Sequence, residues 1–160
     1  MSELARARAL LQEMRGQMPL LGFMELDVVA FDGRALTLRA PLAPNRNDKG
    51  TAFAGAIASL STVTGWALLT LWARAEAAGV GGSCQVAVYH SEMRYRHPIG
   101  ADFEATAVLP DAAALARLRQ GLVARGKGRV DVHISVASAG RDTVAQTAGY
   151  ALWRAGEAAA

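Results

Sequence analysis

At 160 residues, with 52% hydrophobic and 19% charged positions, the chain can bury a substantial core and lies far from the composition of disordered segments. Its net charge of +3 comes from arginine far more than lysine, an excess too small for a nucleic-acid-binding surface, and no basic helix with interleaved aromatics occurs. Cys84 is the sole cysteine, which excludes an intrachain disulfide and a cysteine-based zinc cluster and fits a cytoplasmic protein.

From the N-terminus, Glu3, Arg6, Arg8, Glu13 and Arg15 are spread across the first segment and leave no apolar stretch of the signal-peptide kind. Leu4, Leu11 and Met14, with alanines between them, predict an amphipathic helix over 3–17. Phe23 to Phe31 reads as a strand, Asp32-Gly33 as a turn, and Ala35 to Leu42 as the returning strand of a hairpin. Pro41 and Pro44 then release the chain into an Asn-rich loop around Asn45 and Asn47.

That loop turns through Gly50-Thr51 into a nearly uncharged run, which predicts a central helix over 52–79. A helix so apolar must be buried almost all round, so its N-terminus is where free backbone N–H groups can meet a ligand. The run passes the length of about 18 residues that suggests a membrane span. Ser59, Ser61, Thr62, Thr64 and two glycines interrupt it, however, and alternating strands flank it. A core helix is expected, with no membrane partner.

Gly81-Gly82 breaks the helix, and Cys84 to His97 follows as a long alternating strand closed by Pro98. Strict alternation would put Val88, His90, Glu92 and Arg94 on one face and Tyr89, Ser91, Met93 and Tyr95 on the other. Asp102 to Leu109 returns, and Asp111 caps a short helix with an apolar stripe at Leu115, Leu118 and Leu122. Arg129 to Ser138 and Thr143 to Trp153 form the last hairpin. The order predicts an α+β fold in one domain over 1–160, an antiparallel sheet of about six strands wrapped on one helix. His90, His97 and His133 lack metal-ligand spacing, so neither a metal nor another cofactor is expected.

Two stretches carry a family resemblance. The run Asn47…Gly50-Thr51-Ala52-Phe53-Ala54-Gly55, together with the element order, resembles the hotdog-fold acyl-thioester hydrolases. Arg94-Tyr95-Arg96-His97-Pro98 is similar to the strand-ending Tyr-x-x-Pro of the same superfamily. Pro44-Asn45 through Phe53, with Gly65-Trp66, most resembles a bacterial branch of thioesterases that also occurs fused behind an N-acetyltransferase; no acetyltransferase domain fits in this chain. The resemblance implies the hotdog fold, an acyl-CoA or acyl-carrier thioester as substrate, and a homodimer or dimer of dimers paired through the strand Cys84–His97.

It also exposes a departure. Well-described hotdog thioesterases carry Gly-Thr-x-His-Gly-Gly and, further along the helix, an acidic residue that activates water or attacks the thioester. Here Phe53 stands for the histidine, Ala54 for the first glycine and Thr62 for the acid. The N–H groups of Ala54 and Gly55 remain as oxyanion donors. Asn47 is a candidate for orienting water or holding the carbonyl, with an Asx turn as the alternative. Glu92 or His90 would supply the missing base if their face meets the ligand cleft; a solvated or subunit-facing row is the alternative. Asn45, Gly50, Thr51 and Phe53 complete the candidate ligand-binding set, Asn45 and Phe53 with structural roles as alternatives. A hydrolase, a non-catalytic acyl-ligand binding protein and, more weakly, a dehydratase are the functions these residues allow.

Overall fold

The computed structural model describes residues 1–156. Helix α1 spans Glu3–Gln17, a short helix α2 spans Pro19–Phe23, and strands β1 (Asp27–Phe31) and β2 (Ala35–Ala40) form the first hairpin. The central helix α3 runs Ala54–Glu76 and is followed by strands β3 (Cys84–Tyr95) and β4 (Phe103–Val108). Helix α4 (Ala112–Arg125) precedes the closing strands β5 (Lys127–Ser138) and β6 (Arg141–Arg154). All strand pairs are antiparallel, and the sheet order is β1-β2-β4-β5-β6-β3. This is the six-stranded sheet around one long helix that the sequence predicts.

Helix α3 is long and apolar enough to cross a membrane by length and composition, but the sheet curls round it. Leu60, Leu68 and Leu69 are wholly buried there, each such side chain contributing about 1.5–3 kcal/mol of burial. Two polar bonds pin it. The Trp66 indole N–H donates to the Val86 carbonyl at 2.7 Å, and the Tyr150 hydroxyl donates to the Thr62 carbonyl at 2.8 Å. Tyr150 fits because Gly65 has no side chain: a Cβ there would lie 2.3 Å from the phenol oxygen. Helix α4 is capped by Asp111, whose carboxylate accepts from the Ala114 N–H, and ends at Gly126 in the left-handed conformation. Arg119 joins it to α3 through Glu76 at 2.9 Å, and that hydrogen bond holds the Glu76 carboxyl below its ordinary range.

The wrapping is incomplete. Gly55, Ser59, Thr62, Val63 and Trp66, which share one face of α3 at helical spacing, are only half-buried. The neighbouring strand β3 is a twelve-residue edge with no partner on its outer side among the described residues. A long unpaired edge beside an uncovered helix face is the kind of surface natural proteins usually cover.

Two local differences from the sequence-based expectation bear on function. Phe23 does not open the first strand. Pro19 starts a short helix instead, and Glu25 at φ 54 turns the chain before Asp27. The second difference lies in β3, where the register against β6 shifts between Val88 and His90. The extra residue, Tyr89, reverses the alternation beyond it. Val88, Ser91, Met93 and Tyr95 therefore face α3. Tyr89 lies against Gly149 on the outside, a Cβ at Gly149 falling 2.7 Å from its ring, and His90, Glu92 and Arg94 share that outer face.

Candidate functional site

The entrance to α3 is built by a self-bonded loop. The Asn47 carboxamide oxygen accepts from the Lys49 and Thr51 backbone N–H groups, and its nitrogen donates to the Thr51 hydroxyl at 2.9 Å. Gly50 sits at φ 77, a conformation that favours glycine. The Ala52 N–H reaches the Ile99 carbonyl and the Phe53 N–H reaches the Asn45 carbonyl, both at 2.8 Å. Asn45 is buried, and its amide donates to the carbonyls of Met24 and Pro41. Asn45, Asn47 and Thr51 thus act on the shape of the loop through side-chain bonds that run within it or to its neighbours, and Gly50 through its backbone.

What the loop delivers is a helix end without a cap. Phe53, at φ −68 and ψ 132, precedes the first turn and offers no side-chain acceptor. The first internal bond is from the Ile57 N–H to the Phe53 carbonyl. The N–H groups of Ala54, Gly55 and Ala56 have no partner inside the helix, and the positive end of the helix dipole adds about half an elementary charge there. Beside them lies a cavity of about 310 Å³ lined by Leu20, Phe23, Met24, Phe53 and Ala56 among others. Its walls are largely apolar, and no carboxylate or imidazole is among them. Phe23 and Phe53 remain 78% and 55% exposed, so this apolar surface is open to a ligand. A Cβ at Gly55 would overlap the Phe53 ring and displace it from this arrangement.

On the uncovered face of α3 a second polar group assembles. Gln146 on β6 is 1% exposed; its amide nitrogen donates to Thr62 Oγ1 at 3.1 Å and to Ser91 Oγ at 2.9 Å. Its Oε1 has no partner among the described residues, a state that costs about 1–3 kcal/mol. Tyr95 reaches back from the end of β3, its hydroxyl donating to the Ala54 carbonyl at 3.3 Å. Burial pushes the Tyr95 and Tyr150 phenols up, so both stay neutral donors. Thr62 therefore joins a hydroxyl–amide cluster. It sits about 12 Å beyond Ala54 along the helix, at roughly 1.5 Å per residue.

Glu92 and His90 do not join either group. Both are exposed on the outer face of the sheet, where Glu92 pairs with Arg94 at 3.2 Å. Their expected approach to the cleft fails because the bulge at Tyr89 turns that row outward. Gln146, Ser91 and Tyr95 are the residues the sequence reading missed. Gln146 had a visible signal: it is the one amide on the inward row Val144, Ala148, Tyr150 and Leu152 of an alternating strand. Ser91 had none, since strict alternation ignores the bulge. Among the described residues, no group of three or more His, Cys, Asp or Glu side chains is placed to hold a metal ion.

The same architecture recurs in solved structures. A protein of unknown function from Chlorobaculum tepidum superposes with a TM-score of 0.85 at 26% identity, covering 92% of this chain and 94% of its own. A protein described as a putative thioesterase from Shewanella oneidensis gives 0.77 at 26% identity, over 92% and 95% of the two chains. Mouse thioesterase superfamily member 2 shares the fold, with a TM-score of 0.67 at 15% identity over 93% and 96%. The fold is that of the hotdog thioesterases, and the family match places the chain among thioester hydrolases at the level of the family. The chain belongs to the family YiiD_C, Putative thioesterase (yiiD_Cterm), which it matches over residues 7–154.

Proposed function

We propose that this enzyme hydrolyses acyl-CoA or acyl-carrier thioesters, with the thioester carbonyl held by the N–H groups of Ala54 and Gly55. The observation that carries this is the uncapped first turn of α3 opening beside an apolar cavity of about 310 Å³. Water attacks the carbonyl carbon, the oxyanion forms against the helix N-terminus, and the C–S bond then breaks to release acid and thiol. The cavity takes the acyl chain. Asn47 serves by shaping the loop that presents those N–H groups.

A second copy completes the site. Thr62 stands too far along α3 for one carbonyl to touch both it and Ala54. Pairing two β3 edges antiparallel would place the far part of one α3 beside the N-terminus of the other, and cover both the edge and the half-buried helix face. For the phosphate-bearing arm of coenzyme A, Arg125 and Lys127 line a cavity of about 380 Å³ with Trp153 and with Arg129, which stacks over the Tyr89 ring. Arg94 and Arg119, by contrast, are engaged with Glu92 and Glu76. The enzyme works in the cytoplasm, where Cys84 stays reduced; burial pushes its thiol above the ordinary range.

The absence of a carboxylate from the cavity lining favours one other reading, an acyl-ligand binding protein without turnover. Thiol release measured over a panel of acyl-CoAs and acylated carrier separates the two. Saturable, multiple-turnover release is expected. Tight binding of the same panel with no thiol released would leave a binding protein.

A further inference from the structure

We propose that Gln146 sets the hydroxyls of Thr62 and Ser91 as a neutral proton relay in place of the missing carboxylate. The inference rests on the hydrolase reading above and on the pairing that sets Thr62 of one copy beside Ala54 of the other. An amide nitrogen carries two hydrogens, and Gln146 gives one to each hydroxyl, at 3.1 Å and 2.9 Å. The opposite orientation of the amide would bury an NH₂ group with two unmet donors, whereas this one leaves only the carbonyl oxygen Oε1 unmet. Each hydroxyl, having accepted from Gln146, keeps its own proton and one lone pair. Among the described residues neither hydroxyl makes another hydrogen bond. Thr62 is half-buried and Ser91 exposed, so neither hydroxyl is sealed in the core.

The frame around the pair is rigid. Tyr150, wholly buried, donates to the Thr62 main-chain carbonyl at 2.8 Å and locks that turn of α3 to β6. Gln146 is buried on the same strand, and Ser91 is held in register by β3–β6 pairing, opposite Ala148. A buried amide with an unmet oxygen is a poor device for stability alone. It is an effective one for fixing the direction of two hydroxyl protons.

The step balances without an ionised base. As the water oxygen bonds to the carbonyl carbon, one water proton passes to the free lone pair of a relay hydroxyl. That hydroxyl releases its own proton towards the departing sulfur as the C–S bond breaks, giving the acid and the free thiol. Gln146 touches neither water nor substrate, so it is a positioning residue; Thr62 and Ser91 of one copy are the groups that touch the reacting atoms held at the Ala54–Gly55 end of the other.

The test is the pH dependence of kcat and KM for thiol release, from about pH 5 to pH 9, in the wild type, Ser91→Ala, Gln146→Met and Gln146→Glu. The wild type is expected to show no acidic limb in the carboxylate range. Ser91→Ala and Gln146→Met are expected to lose about tenfold or more in kcat with KM within about twofold. Gln146→Glu, which can accept from both hydroxyls, is expected to recover part of the rate and to add a limb that falls as the new carboxylate protonates. Unchanged kcat in both Ser91→Ala and Gln146→Met, or an acidic carboxylate limb in the wild type, would overturn the relay. Ser91 is exposed, so its variant keeps the test valid even where a change at buried Gln146 perturbs folding. A wild type that releases no thiol is a different outcome and overturns the hydrolase reading itself.

Discussion

Replacing Ala54 by proline is expected to lower kcat for thioester hydrolysis by about 10²–10³-fold, the usual effect of removing one oxyanion donor. Ala54 is the first residue of α3, the helix position at which proline is best tolerated, because that N–H has no partner within the helix. The residue before a proline must be extended, and Phe53 already is, at φ −68 and ψ 132. Ala54 is also exposed, so the ring meets solvent. The substitution therefore deletes one N–H and little else. Its signature is an equal fall in kcat and kcat/KM, since the lost bond exists mainly in the transition state. Steady-state kinetics beside a thermal melt would check this, and an unchanged kcat with an unchanged melt would place the oxyanion elsewhere.

The largest loss of stability is expected at Gly65. A Cβ at this position would lie 2.3 Å from the Tyr150 hydroxyl oxygen and 2.8 Å from its ring carbon. The phenol cannot swing away, being wholly buried and bonded to the Thr62 carbonyl. Gly65→Val should therefore cost about 3 kcal/mol, at the upper end of typical overpacking penalties. For a chain of this size that is a drop of about 6–12 °C in Tm. Removing the phenol oxygen should relieve part of the strain, so Gly65→Ala is expected to be less harmful in a Tyr150→Phe background than alone. A double-mutant cycle by calorimetry reads this directly, and strict additivity would contradict the close contact.

The fold was legible wherever one periodicity ran unbroken. The β5–β6 hairpin follows its alternating apolar rows, and α3 follows its apolar run but spans Ala54–Glu76 and ends short of the expected Gly79. Phe23 misled because a lone aromatic before an alternating stretch looks like its first member. Pro19 at the start of a helical turn and Glu25 at positive φ decide otherwise. The site was legible in part. The Gly50-Thr51 turn into α3 is a local pattern, and the structure puts a ligand-sized cavity at its end. Glu92 against Ser91 was not legible, because one bulged residue exchanges the faces of everything after it and nothing local announces a bulge at Tyr89. Gln146 meets Thr62 across 84 positions of chain, a pairing that only the finished sheet creates.

The most direct test of the site is to follow the backbone amide resonances while titrating a non-hydrolysable thioether analogue of an acyl-CoA. The Ala54 and Gly55 amides should shift saturably, together with residues around the cavity such as Phe23 and Phe53. Saturable binding that leaves Ala54 and Gly55 unmoved would contradict catalysis at the N-terminus of the central helix.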